Sequence, residues 1–125
     1  MTLASKCLPV ALLMLVSGIA HACESPASVV AIRYLVREQL PERVEASVTN
    51  PLERILVRTP RLTEMNSNTG HGTVDFALQF QGGATTDDLA AVKRLVAEVA
   101  LHERVDVVSS TVELTMTCLN TWPFP

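Results

Sequence analysis

Two histidines and two methionines have side chains that bind metal ions, but they lack the spacing of a metal site. His71 lies in a turn, His102 falls in the last turn of a helical segment, and Met65 and Met116 lie in segments that read as strands. Metal ligands recur at short fixed spacings, and methionine in a sheet usually belongs to the core. We therefore predict no metal and no cofactor.

Asp87 and Asp88 form a pair of adjacent acids, the residue type that general acid–base catalysis uses. Both fall in the first turn of a predicted helix, directly after Thr85 or Thr86. Carboxylates are stabilised there by the helix dipole, and threonine is a common N-cap. The start of a helix accounts for this pair without catalysis.

The connection 36–40, between the first predicted strand and helix, is where an acylphosphatase-like enzyme would hold phosphate. Such a cradle needs glycine and an arginine. Arg37 is present, but the connection has no glycine and Glu38 lies beside the arginine. With no other catalytic pattern, the sequence predicts that the chain is not an enzyme.

The first 22 residues have the pattern of an export signal. Lys6 provides a positive start, residues 8–20 form an apolar run, and Ala20, His21 and Ala22 match an A-x-A cleavage site. The run is shorter than the ~20 apolar residues of a membrane-spanning helix. We predict removal of 1–22 and a periplasmic mature chain that begins at Cys23.

Cys23 and Cys118 are the cysteines that remain after this cleavage, and two interpretations of Cys23 stay open. It is either the lipidated first residue of a lipoprotein, which would bring the chain to a membrane, or the disulfide partner of Cys118. Ala20 stands where a lipoprotein signal usually has leucine. An exported chain permits the disulfide.

Composition sets the size and the charge. The 125 residues carry 10 Lys and Arg against 13 Asp and Glu, a net charge of −3 without a basic cluster. Nucleic acid is excluded as a partner, because phosphate binding needs a basic face. We predict a single domain over 23–118, followed by an irregular tail over 119–125.

The hydropathy pattern predicts four strands, at 28–36, 62–67, 73–81 and 107–118. Alternation is clearest where Val74, Phe76, Leu78 and Phe80 share one face. Helices are predicted at 41–57 and from Thr85 or Thr86 to about residue 102. Pro51 lies inside the first helix and predicts a kink or break near Val48.

The order β-α-β-β-α-β predicts a ferredoxin-like split βαβ fold of the α+β class, with a four-stranded antiparallel sheet and both helices on one face. Its strand order is 4-1-3-2, so the first and last strands are antiparallel neighbours. Cys23 and Cys118 then lie at the same end of the sheet. This topology favours the disulfide over lipidation.

The stretch PERVEASVTNPLER at 41–54 resembles the helix pattern P-E-x-V-E-x-x-V-T-x-P-L-E of resistance–nodulation–division (RND) efflux transporters. Residues 59–67, 72–80 and 83–89 are similar to the segments that follow it in the periplasmic porter region of that family. The resemblance extends over about 30–99 and implies a porter subdomain of split βαβ topology. The membrane spans of those transporters have no counterpart here, so this chain does not itself pump.

The resemblance implies a non-catalytic periplasmic module that binds RND pump components or a second copy of itself. The transporter helix faces a trimer axis, which assigns self-association to Val44, Val48 and Leu52. For a partner we expect contacts at the strand edge or the tail, through Leu62, Met65, Trp122 and Phe124. Two alternatives stay open: a peptidase-inhibitor or propeptide-like module, and a vestigial transporter fragment.

Overall fold

The computed structural model describes residues 26–99, 101 and 104–118. The elements are β1 (Pro26–Val36), helix α1 (41–56), β2 (Leu62–Thr69), β3 (Thr73–Phe80), α2 (Thr86–Val99) and β4 (Val107–Cys118). Their order is the predicted one. The export signal at 1–22 and the tail at 119–125 lie outside the described residues.

The four strands form one antiparallel sheet in the order β2-β3-β1-β4. This confirms the predicted ferredoxin-like α+β fold and its strand order. The central strands β1 and β3 are the most apolar, because each has neighbours on both sides. The outer strands β2 and β4 are more polar and more exposed.

A single core fills the space between the two helices and one face of the sheet. Val92 of α2 belongs to it, together with apolar residues of α1 and the alternate residues of β1 and β3. The fully buried side chains of that core include Val30, Ile32, Val44, Val48, Leu52, Leu56, Val74, Phe76, Leu78 and Val92. Burial of these side chains is the main contribution to the stability of the fold.

Helix α1 contains a π-helical turn at the place where a kink was predicted. Its stretches are α-helical at Pro41–Val44, π-helical at Glu45–Thr49 and α-helical again at Asn50–Leu56. The Asn50 N–H donates to the carbonyl of Glu45, as a π turn requires. Pro51 follows directly, and its ring and missing N–H disrupt a regular helical ladder one turn earlier.

The π turn also keeps the apolar residues of α1 on one face. Val44, Val48, Leu52 and Leu56 recur every four residues and are all 0% exposed. In a regular helix a spacing of four advances about 40° beyond a full turn, so the four positions would spread over about 120°. A wider turn takes up part of this excess, and all four side chains reach the core.

Arg61, the residue directly before β2, links the β2–β3 hairpin to the start of α2 by hydrogen bonds. Arg61 adopts a left-handed backbone conformation with φ 67°. Its Nη1 donates to both carboxylate oxygens of Asp88, at 2.9 and 2.7 Å, and its Nη2 donates to the carbonyl of Gln81. Asp88 in turn accepts the backbone N–H of Thr85 at 2.9 Å. The predicted cap of α2 is therefore Thr85, and Asp88 completes a capping box.

Candidate functional site

An open cleft lies where β1 ends, α1 begins and the chain enters β4. Its volume is about 590 Å³, within the usual range of ligand sites. It is lined by Arg37, Glu38, Arg43, Ala46, Ser47, Arg104, Val105 and Asp106. We call it the arginine cleft, because three segments of the chain each bring one arginine to it.

Backbone hydrogen bonds fix the first of these segments to the turn before β3 and to the entry of β4. The N–H of Val36 donates to the carbonyl of Gly72 at 2.9 Å, and the N–H of Arg37 donates to the carbonyl of Asp106 at 3.1 Å. The Arg37 Nε also lies 2.9 Å from Asp106 Oδ2. The antiparallel pairing of β1 with β4 thus fixes Arg37 beside the entry to β4.

The start of α1 supplies the second arginine. Pro41 is the first helical residue, and the N–H groups of Arg43 and Val44 both donate to the carbonyl of Leu40 at 3.0 Å. Arg43 Nη1 lies 3.4 Å from Glu38 Oε1. The π turn provides the adjoining wall, where the Ser47 hydroxyl donates to the carbonyl of Arg43 at 2.6 Å.

The charges of the arginine cleft favour an anion. Three guanidinium groups face two carboxylates. The side chains of the Arg37–Asp106 pair are 73% and 69% exposed, and such surface pairs contribute only ~0–1 kcal/mol. Arg104 forms no salt bridge with any residue in the described part of the chain. A bound oxyanion can therefore recruit these groups at low energetic cost, and arginine binds carboxylate and phosphate oxygens in pairs.

A second, smaller cleft lies between the two helices. It measures about 250 Å³ and is lined by Arg58, Pro60, Ala91, Arg94, Leu95 and Glu98. Arg58 Nη1 lies 3.7 Å from Glu98 Oε2. Its volume falls below the usual ~300 Å³ of ligand pockets.

The sheet face opposite the helices carries an ion pair between the two central strands. Arg33 Nε donates to Asp75 Oδ1 at 2.6 Å, and Nη2 donates to Oδ2 at 3.3 Å. The hydrogen bond to Asp75 raises the pKa of Arg33 above its ordinary value. The Asp75 side chain is only 5% exposed, so we assign this pair to the stability of the sheet.

The predicted self-association residues lie inside the domain. Val44, Val48 and Leu52 are each 0% exposed, because α1 uses this stripe to cover its own sheet. They leave no surface for a second copy. Leu62 and Met65 are half-buried at the margin of the same core, and Trp122 and Phe124 lie outside the described residues.

Cys118 ends β4 directly opposite Pro26 of β1. Cys23, three positions before Pro26 in the sequence, lies outside the described residues. The Cys23–Cys118 bond therefore stays a prediction, which the register of β1 and β4 favours.

Metal-binding clusters and membrane-spanning helices are both absent from the described residues. Within residues 26–99, 101 and 104–118, no three His, Cys, Asp or Glu side chains are grouped so that they could hold a metal ion. No helix in the same residues is long and apolar enough to cross a bilayer.

Sequence reasoning missed the arginine cleft. Taken alone, the loop 36–40 shows only that it lacks the glycine of a phosphate cradle. The predicted topology places the end of β1 beside the start of β4. From this neighbourhood the sequence could have predicted that Arg104 and Asp106 lie near Arg37. Arg43 reaches the same cleft because α1 begins at Pro41.

Comparison with known proteins finds similar chains among solved structures. No family model and no curated protein matches the chain. Among solved structures, 25 chains match. One is SnoaB, a cofactor-independent oxygenase from Streptomyces nogalater, with 18% sequence identity, a TM-score of 0.45, and coverage of 78% of this chain and 97% of SnoaB. At this identity the likeness concerns the fold alone.

This finding corrects two predictions. The predictions of a non-catalytic, porter-like module and of no enzyme are both contradicted by this comparison, in which the solved structure named is an oxygenase and not a porter subdomain. The physical reason is that the β-α-β-β-α-β pattern specifies a topology, and one topology supports many functions. The RND resemblance itself remains a prediction, and oxygenase activity is a property of SnoaB.

Proposed function

We propose that the chain binds a small oxyanion, with carboxylate or phosphate groups, in the arginine cleft. The observation that carries the proposal is the convergence of Arg37, Arg43 and Arg104 from three separate segments on one cleft. Guanidinium groups are the usual protein ligands for such anions.

The neighbours of the three arginines support an exchange mechanism. Glu38 and Asp106 hold Arg43 and Arg37 in exposed ion pairs. An incoming anion takes over these guanidinium groups, and the two carboxylates turn to solvent. Arg104 adds a positive charge that no carboxylate in the described residues balances at salt-bridge distance.

Calorimetric titration of the purified protein with citrate and with pyrophosphate tests this proposal. We expect saturable binding that weakens as salt is added, because screening acts on exposed charges. Replacing Arg104 by glutamine should weaken binding about tenfold or more, since a charge-assisted hydrogen bond contributes ~1.5–3 kcal/mol. The relative affinity of the two probes identifies the preferred anion class.

The matched control is Arg94→Gln. Arg94 is an exposed arginine that lines the smaller cleft, so its replacement changes the net charge equally but leaves the arginine cleft intact. If Arg104→Gln and Arg94→Gln weakened binding equally, the binding would be a nonspecific effect of net charge. Absence of saturable binding by both probes would refute the proposal.

A further inference from the structure

Strand β4 has the features of an edge that pairs with another strand. It is the longest strand, with 12 residues, and it lies at the outside of the sheet, where β1 is its sole partner among the described residues. Glu113 is its one charged side chain. Natural edge strands are usually short, charged, bulged or interrupted by proline, because a free edge pairs readily with other chains.

The opposite edge is better protected. Strand β2 has 8 residues, and its pairing with β3 shifts register between Leu62 and Glu64. Such a bulge twists an edge away from further pairing. In β4 the register shift lies near its start, where Val108 has no partner on β1. From Ser109 onward the pairing of β4 with β1 is regular.

We propose that β4 pairs antiparallel with β4 of a second copy, about a two-fold axis at Val112. An axis at this residue places Thr111 opposite Glu113 of the second copy, and Ser110 opposite Leu114. An axis at Glu113 would instead place two like charges directly opposite each other, which destabilises a sheet. A two-fold interface must be complementary to itself, and the Val112 register meets this requirement.

The exposed apolar residues of β4 fit the same register. Val108 is 60% exposed and Met116 is 65% exposed, and the two lie four positions on either side of Val112. In the proposed pair, Met116 of each copy lies beside the bulged segment that carries Val108 of the other. Pairing would thus cover two of the four exposed large apolar side chains among the described residues.

Charge substitutions at Thr111 distinguish this register from others. Thr111→Lys should strengthen the dimer, because each lysine lies opposite Glu113 of the second copy. Thr111→Glu should weaken it, because two carboxylates then face each other at two equivalent positions. Each cross-strand pair contributes ~0.2–1 kcal/mol, and the two-fold axis forms two such pairs, so we expect a change of up to about thirtyfold in the dimer dissociation constant in each direction.

The same variants have the opposite effect within one copy. Thr111 also lies opposite Arg33 of β1, so Thr111→Glu should stabilise the monomer and Thr111→Lys should destabilise it. Thermal unfolding at low protein concentration measures this effect. If the variants changed dimerisation only through the stability of the monomer, Thr111→Glu would strengthen the dimer and Thr111→Lys would weaken it, which is the reverse of the proposal.

Sedimentation equilibrium of the purified protein, from micromolar to near-millimolar concentration, provides the test. A monomer–dimer equilibrium that Thr111→Lys strengthens and Thr111→Glu weakens supports the proposal, and the reverse pair of responses overturns it. A protein that stays monomeric over this range overturns it. Dimers that both variants weaken, or that neither changes, also overturn it and place the interface on another surface. Thr115→Lys is the control, because Thr115 lies opposite uncharged Ser109.

Discussion

Replacing Asp88 by alanine is expected to lower the free energy of unfolding by about 3 kcal/mol. The carboxylate accepts the Thr85 N–H at 2.9 Å and the Arg61 Nη1 at 2.7 and 2.9 Å, and its side chain is 8% exposed. Loss of a helix cap costs ~1 kcal/mol. Loss of a hydrogen bond to a charged group costs ~1.5–3 kcal/mol, and the partial exposure of Arg61 favours the lower end of this range.

The effect of Asp88 on stability should depend on pH. Burial alone would raise the pKa of Asp88, but the hydrogen bonds from Thr85 and Arg61 outweigh burial, and the pKa lies below the ordinary 3.8. The folded protein therefore binds this proton less tightly than the unfolded chain. The stabilisation is complete above the unfolded pKa of ~3.9 and is lost as pH falls through the lower folded value.

Urea unfolding at about pH 7 and about pH 3 measures both effects. The difference in stability between wild type and Asp88→Asn should shrink at the lower pH. Asp87→Ala is the matched control, because Asp87 lies in the same first turn but is exposed; its interaction with the helix dipole is worth ~0.3–1 kcal/mol. Equal losses from Asp87→Ala and Asp88→Ala would refute the role given to Arg61 and Thr85.

Two further predictions concern a turn and the cysteines. Gly72→Ala should destabilise the protein by about 2 kcal/mol or more, because Gly72 has φ +77° and an added Cβ would lie 2.9 Å from the carbonyl oxygen of Val36. Gly82→Ala, with φ +76° and no atom within 4 Å of its Cβ, should cost only ~1 kcal/mol, and similar losses from both variants would contradict the steric account. For the cysteines, we expect the non-reduced exported protein to resist thiol labelling at Cys23 and Cys118, and reduction to lower its stability by ~3–5 kcal/mol. A diacylglyceryl mass on Cys23 would contradict the pairing.

The sheet and its order could be predicted because local patterns determine them. Alternation at Val74, Phe76, Leu78 and Phe80 identifies a half-buried strand, and the order of strands and helices then leaves few allowed topologies. Strand β3 was predicted at 73–81 and is observed at Thr73–Phe80. The strand order of this topology places the strands at 62–67 and 107–118 at the two edges, and the polar composition of 62–67 suits that position.

Features that depend on contacts distant in sequence could not be predicted in this way. Asp87 and Asp88 look equivalent in the sequence, and only the fold brings Arg61 to one of them. Arg61 itself carries no turn signal, since left-handed positions are usually glycine or asparagine. The arginine cleft combines residues separated by more than half of the chain.

The π turn at Glu45–Thr49 makes α1 more sensitive to deletion than to substitution. A wide turn adds a residue to a helix without adding a regular turn, so the length of this segment sets the rotation between the two ends of α1. Removing one residue from it would rotate Pro41–Val44 by about 100° relative to Asn50–Leu56. Val44 would leave the core and Arg43 would leave the arginine cleft. We therefore expect this helix to tolerate changes of side chain at its exposed positions while its residue count remains fixed.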